Sequence, residues 1–198
     1  LKQIADGIFN TESMLARIDC YVSPISDQPI LDWHVDHAYS GIKNVTKYNS
    51  PEEQTIKFFF GLTDMTSDNG CLSYIPKSHI IAVALRKGIY EGTLKYTPYF
   101  FLDDFRKTIL INDNYIYLKK NVSPNILNEF LEKTEPSIFK NESDFKYDYQ
   151  PIKAGGALIF NDSGLHKGSR TRINERLVLR FFFRKKTDSP VDSNLVAP

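Results

Sequence analysis

The sequence predicts a mainly β protein with two packed sheets, a sandwich or jelly roll. Short alternating apolar runs recur along the chain, turn-forming Asn, Asp, Gly and Pro residues separate them, and few segments have a helical pattern. Residues 55–63 place apolar side chains on both faces of a strand, which is typical of a sandwich interior. A chain of 198 residues can bury one core, so residues 1–198 are predicted to form a single domain.

Strands are predicted where residues alternate or are β-branched and aromatic: 17–23, 33–39, 55–63, 71–75, 149–160 and 176–186. Residues 1–16 are predicted as a helical lead-in with Thr11 as a cap, and residues 24–29 as a turn-rich break. The turn Asp68-Asn69-Gly70 predicts that 71–75 pairs with the strand before it. A basic loop is expected before Arg176.

Residues 80–150 differ in character and are predicted to be an insert within the domain. One helix is clear, with Ser123 as its cap and Pro124 at its first position, followed by an apolar stripe. The aromatic residues before that helix fit either a helix or an irregular lid. No repeated pattern indicates a second core, so the insert is interpreted as a lid.

Composition narrows the classes of partner. Lys plus Arg number 25 and Asp plus Glu 24, so no nucleic-acid partner is expected. The longest apolar runs are too short to cross a bilayer, and no membrane association is expected. Cys20 and Cys71 lack metal-ligand spacing and are predicted to be buried free thiols in a reducing compartment, which favours the cytoplasm.

The segment Trp33-His34-Val35-Asp36-His37 predicts a metal site. In a strand, side chains two residues apart point the same way, so His34 and Asp36 would converge on one point. One further histidine would complete a two-His, one-carboxylate site, which suits non-haem Fe(II). The chain has four histidines, and a jelly roll can bring a late one to this position.

His166 and Arg176 strengthen this interpretation. His166 follows a predicted strand and a turn, and Arg176 begins the last strand. An arginine that points into a sandwich needs an anionic partner, because an unpaired buried charge is costly. A dicarboxylate cosubstrate, bound bidentately by the guanidinium, would supply that partner.

These residues resemble a known family. The order Trp-His-x-Asp, then Asn69-Gly70-Cys71-Leu72-Ser73-Tyr74-Ile75-Pro76-Lys77-Ser78-His79, then Gly-Leu-His166-x-Gly-Ser and Arg176, is similar to the phytanoyl-CoA dioxygenase family, which includes ectoine hydroxylase. The resemblance spans about residues 17–184 without the insert. It implies a double-stranded β-helix, jelly-roll or cupin-like, with flanking helices, that uses Fe(II) and 2-oxoglutarate.

Matched residue by residue, the resemblance implies that His34, Asp36 and His166 bind iron and that Arg176 binds the far carboxylate of 2-oxoglutarate. This chain has His166-Lys167-Gly168-Ser169 where the family often has His-Gly-Ser, and Lys77 where it often has Gly. This apparent insertion leaves open whether Ser169 assists 2-oxoglutarate binding. It also makes Arg172, and less strongly Arg180, an alternative to Arg176.

Other residues near the motif are candidates for contacting the substrate: Trp33, His37, Tyr39 and Arg17. For Trp33, core packing next to the metal-site residues is the main expectation and substrate contact the lesser one. A salt bridge to Asp19 or another acid would explain Arg17 as well as a substrate contact would. His37 should point away from the metal if the strand is regular. His79 is interpreted as structural.

The implied reaction is the hydroxylation of a C–H bond in a small molecule by O2, with release of succinate and CO2. Related halogenases have a small residue in place of the carboxylate, so Asp36 favours hydroxylation. The alternatives are a cupin-like metal enzyme that does not use 2-oxoglutarate and an inactive jelly-roll binding protein. The oligomeric state is left open.

Overall fold

The structure, a computed structural model, describes residues 1–36, 54–135 and 149–186. These residues form the strands β1 Ser13–Ser23, β2 Ser26–His34, β3 Thr55–Gly61, β4 Leu72–Tyr74, β5 Tyr149–Gln150, β6 Ala157–Asn161, β7 His166–Thr171 and β8 Arg176–Lys185. They also form the helices α1 Lys2–Phe9, α2 Ser78–Tyr90, α3 Leu102–Leu110, α4 Asn112–Asn121 and α5 Pro124–Lys133.

The strands form two antiparallel sheets of four strands each, in the orders β1-β8-β3-β6 and β2-β7-β4-β5. Phe59 of β3 and Val178 of β8 share a buried apolar cluster with Cys71, which lies next to β4. Because successive strands mostly alternate between the sheets, the chain winds as a double-stranded β-helix. The predicted fold class is confirmed.

The strand that carries the first metal-site residues differs from the prediction. It was expected over residues 33–39, but β2 is Ser26–His34 and includes much of the expected break. β2 lies at the edge of its sheet, where the missing N–H of Pro29 breaks no inner ladder. The strand ends at His34, and Asp36 lies two residues beyond it.

The predicted hairpin between residues 55–63 and 71–75 is wrong. β3 pairs with β6 and β8, whereas β4 pairs with β5 and β7 in the other sheet. The turn at Asp68-Asn69-Gly70, where Gly70 has φ of 73°, instead carries the chain across to the second sheet. A local turn signal cannot distinguish these two outcomes.

Two further segments differ from expectation. Residues 166–171, expected to lead into a basic loop, form β7 in the interior of the second sheet. Because Lys, Gly, Ser and Arg are not typical strand residues, the sequence pattern does not indicate a strand here. At the start of the chain, Met14 and Leu15 belong to β1 rather than to a helix.

The block between β4 and β5 is largely helical. α5 begins at Pro124, as predicted, and the aromatic stretch leads into α3. α2 begins directly after the Ile-Pro-Lys signature, where Lys77 adopts the left-handed conformation with φ of 66°. The helices surround the largest apolar cluster, which also contains Trp33, Val35 and Leu165 from the ends of the strands. Residues 136–148 of the predicted insert lie outside the described residues.

Smaller predictions can also be compared with the structure. Cys71 is buried as expected, but Cys20 is exposed on the outer face of β1; the prediction that both thiols are buried is wrong for Cys20. Burial raises the pKa of Cys71 to about 11, so its thiol stays protonated. None of the described helices is long and apolar enough to span a membrane.

Candidate metal centre

Three side chains with metal-binding atoms converge at one end of the sheets. The ligand atoms of His34, Asp36 and His166 all lie within 4.8 Å of one another. His34 Nε2 is 3.3 Å from Asp36 Oδ1, and His166 Nε2 is 3.5 Å from Asp36 Oδ2. Metal bonds of about 2.0–2.2 Å place neighbouring donor atoms about 3–4 Å apart, so this donor set fits a single ion.

Backbone carbonyls orient both histidines for this role. Nδ1 of His34 donates to the carbonyl of Asp32 at 2.7 Å, and Nδ1 of His166 donates to the carbonyl of Gly164 at 2.8 Å. A proton held on Nδ1 leaves the lone pair on Nε2, the atom that faces Asp36. Both rings therefore present Nε2 towards Asp36 as the atom that can bind a metal.

The charges at the centre keep these ligands in their binding forms. Burial lowers the pKa of His166 although Asp36 favours its protonation, so the ring stays neutral. Burial of Asp36 acts to raise its pKa, but the positive charge of Lys57 holds that pKa well below its usual range. The carboxylate is therefore ionised and able to bind a cation.

Sheet pairing brings the histidines together. His34, the last residue of β2, lies opposite His166, the first residue of β7, and their ring centroids are 4.2 Å apart. Aromatic rings cover both imidazoles: Phe100 stacks on His34 at 5.5 Å and Phe160 lies 5.3 Å from His166. Both histidines are only 5% exposed.

The Ile-Pro-Lys-Ser-His signature supports the centre from behind. The buried hydroxyl of Ser78 accepts a hydrogen bond from the backbone N–H of Leu165 at 2.7 Å and donates to the carbonyl of Ile75 at 2.6 Å. The N–H of Ile75 donates in turn to the carbonyl of Leu165 at 2.9 Å. The start of α2 thus fixes the residue before His166, a supporting role that sequence analysis did not assign to Ser78.

Replacing Gly164 by alanine is expected to destabilise the protein and weaken metal binding. An added Cβ would lie 1.9 Å from the hydroxyl oxygen of Tyr74 and 2.3 Å from its Cζ, and this hydroxyl is hydrogen-bonded to the carbonyl of Asn161. Overpacking of this kind costs about 1–3 kcal/mol. The displaced Gly164 carbonyl would also release His166. Thermal unfolding and divalent-metal affinity measure the two effects.

The matched control is Gly7→Ala in α1, where no atom lies within 4 Å of the added Cβ. Alanine favours a helix over glycine by about 1 kcal/mol, so this variant should equal or exceed the wild type in stability. A Gly164→Ala protein with wild-type melting temperature and metal affinity would contradict the proposed support of His166.

A cavity of about 290 Å³ joins the candidate metal-binding cluster of His34, Asp36 and His166 to a buried arginine. Its lining includes the three cluster residues together with Lys57, Arg176 and Arg180. Arg176 is 2% exposed. Its guanidinium donates to the Gly70 carbonyl at 2.8 Å and to the hydroxyls of Tyr21 and Ser23 at 2.5 and 3.1 Å. All three of these acceptors are neutral groups. Nε of Arg176 has no hydrogen-bond partner among the described residues.

The Asn-Gly signature has a structural reason at this point. A Cβ on Gly70 would lie 2.5 Å from Cδ of Arg176, so only glycine allows the arginine to lie against the turn. Burial lowers the pKa of Arg176 from its usual value, although a guanidinium stays charged in proteins. The cavity therefore holds a charged group that lacks a carboxylate partner in the described chain.

The other arginines are placed differently. Arg172 lies on the surface, where it pairs with Asp27 at 3.2 Å and Asp68 at 3.4 Å. Arg180 lines the cavity but forms a bidentate pair with Asp19 at 2.6 and 2.8 Å. Arg17 also pairs with Asp19, as the salt-bridge alternative expected, and its side chain is 53% exposed.

The remaining candidates can be placed in part. The Ser169 hydroxyl donates to the Thr66 carbonyl at 3.4 Å and lies 3.7 Å from Cys71 Sγ. Trp33 is buried in the apolar cluster that the helices surround, as expected for core packing. Nδ1 of His79, in α2, lies 3.3 Å from the hydroxyl of Tyr74, within hydrogen-bonding distance. His37 and Tyr39 lie outside the described residues.

Comparisons with known proteins agree with this geometry. Residues 10–174 match the family model described as phytanoyl-CoA dioxygenase (PhyH). The chain belongs to the phytanoyl-CoA dioxygenase family. This membership confirms the resemblance, and the cofactors of the family, Fe(II) and 2-oxoglutarate, agree with the predicted ones. A comparison with curated proteins gives no match.

Solved structures share the fold at low sequence identity. EvdO2 from Micromonospora carbonacea var. aurantiaca, also solved with 2-oxoglutarate, has a TM-score of 0.53 and 15% identity over 96% of this chain and 62% of that chain. HygX from Streptomyces hygroscopicus, with nickel and 2-oxoglutarate bound, has a TM-score of 0.51 and 13% identity over 94% and 61%.

A third structure is the non-haem α-ketoglutarate-dependent epimerase SnoN from nogalamycin biosynthesis, with a TM-score of 0.52 and 10% identity over 94% of this chain and 52% of that chain. This phytanoyl-CoA dioxygenase family chain therefore spans less than two thirds of each of these three structures. At these identities the comparison shows a shared fold.

Proposed function

We propose that this protein is an Fe(II)- and 2-oxoglutarate-dependent dioxygenase that hydroxylates a C–H bond of a small molecule and releases succinate and CO2. One observation carries the proposal: a His-Asp-His cluster and a buried arginine without a carboxylate partner among the described residues line one cavity. The family match supports the same activity. The cluster can bind a metal ion, and the arginine can bind one carboxylate of a dicarboxylate.

His34, Asp36 and His166 would hold the iron. When bound there with 2-oxoglutarate, Fe(II) would supply the oxidising chemistry with O2. The residues themselves provide two imidazole nitrogens and one carboxylate. The single negative charge of the carboxylate would neutralise half of the charge of the ion. Phe100 and Phe160 pack against the imidazoles, and exclusion of water from this side would limit side reactions at the metal.

Arg176 would bind the far carboxylate of 2-oxoglutarate. Its position is buried, its protein partners are neutral, and the hydroxyl of Tyr21 adds a second polar group next to it. Desolvated charge-assisted hydrogen bonds to a carboxylate would offset the cost of burying the guanidinium. Arg172 is the weaker candidate because its ion pairs hold it at the surface. A role for Ser169 stays a prediction.

Part of the helical block would act as a lid over the substrate. The residues before α3 already form part of the site: Phe101 makes a β-bridge to His34, and the carbonyl of Phe100 accepts the N–H of Val35 at 3.1 Å. Because this segment is attached to the end of β2, next to His34, ligands bound at the site could change its conformation. Hydrogen exchange that stays unchanged in residues 80–135 on adding Fe(II), 2-oxoglutarate and substrate would contradict this role.

The test of the proposed function is anaerobic. Fe(II) and 2-oxoglutarate are added to the wild-type protein, and the visible charge-transfer band of their chelate is recorded. The expected result is a band that requires both ligands, followed by succinate release when O2 and a substrate from a panel are supplied. A folded wild-type protein that gives no band would refute the dioxygenase activity and favour a cupin-like enzyme or a binding protein.

A further inference from the structure

Asp36 needs support that strand pairing does not supply. β2 ends at His34, so Asp36 lies two residues beyond the sheet ladder. Its backbone N–H donates to the carbonyl of Asp162 at 3.2 Å, and its side chain forms an ion pair with Lys57 through Oδ2. The proposed function uses neither Lys57 nor Asp162. Nevertheless, Lys57 contacts the carboxylate of Asp36, and Asp162 contacts the backbone of Asp36.

Lys57 is held firmly inside the sandwich. It lies on β3, between β6 and β8, with its side chain 7% exposed. Its ammonium is 3.9 Å from Asp162 Oδ2 and lies over the rings of Phe182 and Phe160, at 5.1 and 5.9 Å from their centroids. The cross-strand neighbours of Lys57 are these same two phenylalanines. Packing on both sides therefore directs the ammonium towards the two carboxylates.

A cation in this position changes what Asp36 offers to a metal. The ammonium engages Oδ2, which leaves Oδ1, 3.3 Å from His34 Nε2, as the oxygen available for a metal bond. It also withdraws negative charge from the ligand. A nearby positive charge stabilises Fe(II) relative to Fe(III), since the oxidised ion carries one more positive charge. The carboxylate of Asp162 acts in the opposite direction.

We propose that Lys57 is a positioning residue that holds Asp36 beyond the end of its strand and, by its charge, raises the Fe(III)/Fe(II) reduction potential of the iron centre. Asp162 restrains Lys57 and partly offsets its charge. The proposal rests on the proposed function for the identity of the metal. It explains why a lysine is buried in a strand that is otherwise almost entirely apolar or aromatic.

The test is the reduction potential of the iron-loaded protein, measured by spectroelectrochemistry without 2-oxoglutarate or substrate. Lys57→Met removes the charge and keeps an unbranched side chain. It should lower the potential by about 59 mV or more, which is a tenfold change in the ratio of Fe(III) to Fe(II) affinity for a one-electron couple. Lys57→Arg should restore most of the difference. Asp162→Asn should raise the potential, because it removes a negative charge near the iron.

The opposite signs separate this role from a structural one. A loss of packing alone would shift Lys57→Met and Asp162→Asn in the same direction, and this result would overturn the proposal. An unchanged potential in folded Lys57→Met would overturn it too. Should Lys57→Met fail to fold, Asp162→Asn decides: a raised potential supports the proposal, and an unchanged or lowered one overturns it.

The matched control is Lys153→Met, which removes an 87% exposed lysine paired with Asp64. Its potential should equal that of the wild type, and a shift as large as that of Lys57→Met would overturn the local role of Lys57. The measurement also separates the two proposals. A wild-type protein that binds no iron contradicts the proposed function as well, whereas bound iron with the same potential in every variant contradicts only the role of Lys57.

Discussion

Asp36→Ala is expected to weaken Fe(II) binding by more than about 100-fold, because mutating residues that merely support a metal ligand already costs about 10- to 100-fold. Asp36 lies between the two histidines, at 3.3 and 3.5 Å from their Nε2 atoms. Its removal leaves two neutral nitrogens and the Lys57 ammonium, which repels a divalent ion. Anaerobic calorimetry with Fe(II), or with Co(II) as a stable substitute, measures the loss.

Asp32→Ala is the matched control for this experiment. Asp32 is on the same strand with its side chain 67% exposed, and only its backbone carbonyl contacts His34. Its substitution should leave the metal affinity within a few-fold of wild type. Circular dichroism confirms that both variants are folded. Metal affinity within tenfold of wild type in Asp36→Ala would remove the carboxylate from the proposed ligand set.

Arg176→Met is expected to weaken 2-oxoglutarate binding by at least about 30-fold while Fe(II) binding persists. Truncating one member of a buried charge pair costs about 2–5 kcal/mol, and 1.4 kcal/mol corresponds to about tenfold in affinity. The measurement is a titration of the Fe(II)-loaded protein with 2-oxoglutarate, followed by the chelate band. Arg176→Lys should recover only part of the affinity, since lysine lacks the bidentate fork.

Arg172→Met decides between the two candidate arginines. Its side chain is 44% exposed and pairs with Asp27 and Asp68, so its loss should not alter 2-oxoglutarate affinity. The opposite result, a large effect at Arg172 and none at Arg176, would move the cosubstrate away from the described cavity. Thermal stabilisation by 2-oxoglutarate offers a second readout, because a ligand that binds only the folded state raises its melting temperature.

Local sequence patterns predicted several elements correctly. The strand predicted over residues 55–63, with apolar side chains on both faces, corresponds to β3, and the one predicted over residues 176–186 corresponds to β8. Pro124 marks the start of α5. These elements are visible in the sequence because the residues that they bury are close together in the chain. The same patterns failed for β7, whose burial comes from its neighbours β2 and β4 rather than from apolar residues of its own.

The candidate metal-binding cluster of His34, Asp36 and His166 was predicted for a partly wrong local reason. A regular strand would place His34 and Asp36 on one face, whereas β2 ends at His34. The carboxylate nevertheless reaches the histidines because Lys57 and the Asp162 backbone hold it there. Neither residue belongs to a recognisable motif. A buried lysine in an apolar strand was the only signal of this support.

By itself, the sequence determined the ligand chemistry and the family: His-x-Asp, the Asn-Gly and Ile-Pro-x-Ser-His segments, a late histidine and a following arginine are fixed by residue type and order. The tertiary structure decided which groups meet. It put Arg176 in the cavity and Arg172 at the surface, and it placed the Lys57 ammonium on the carboxylate of Asp36, the candidate metal ligand. Contacts between distant strands depend on sheet pairing, which local residue patterns do not encode.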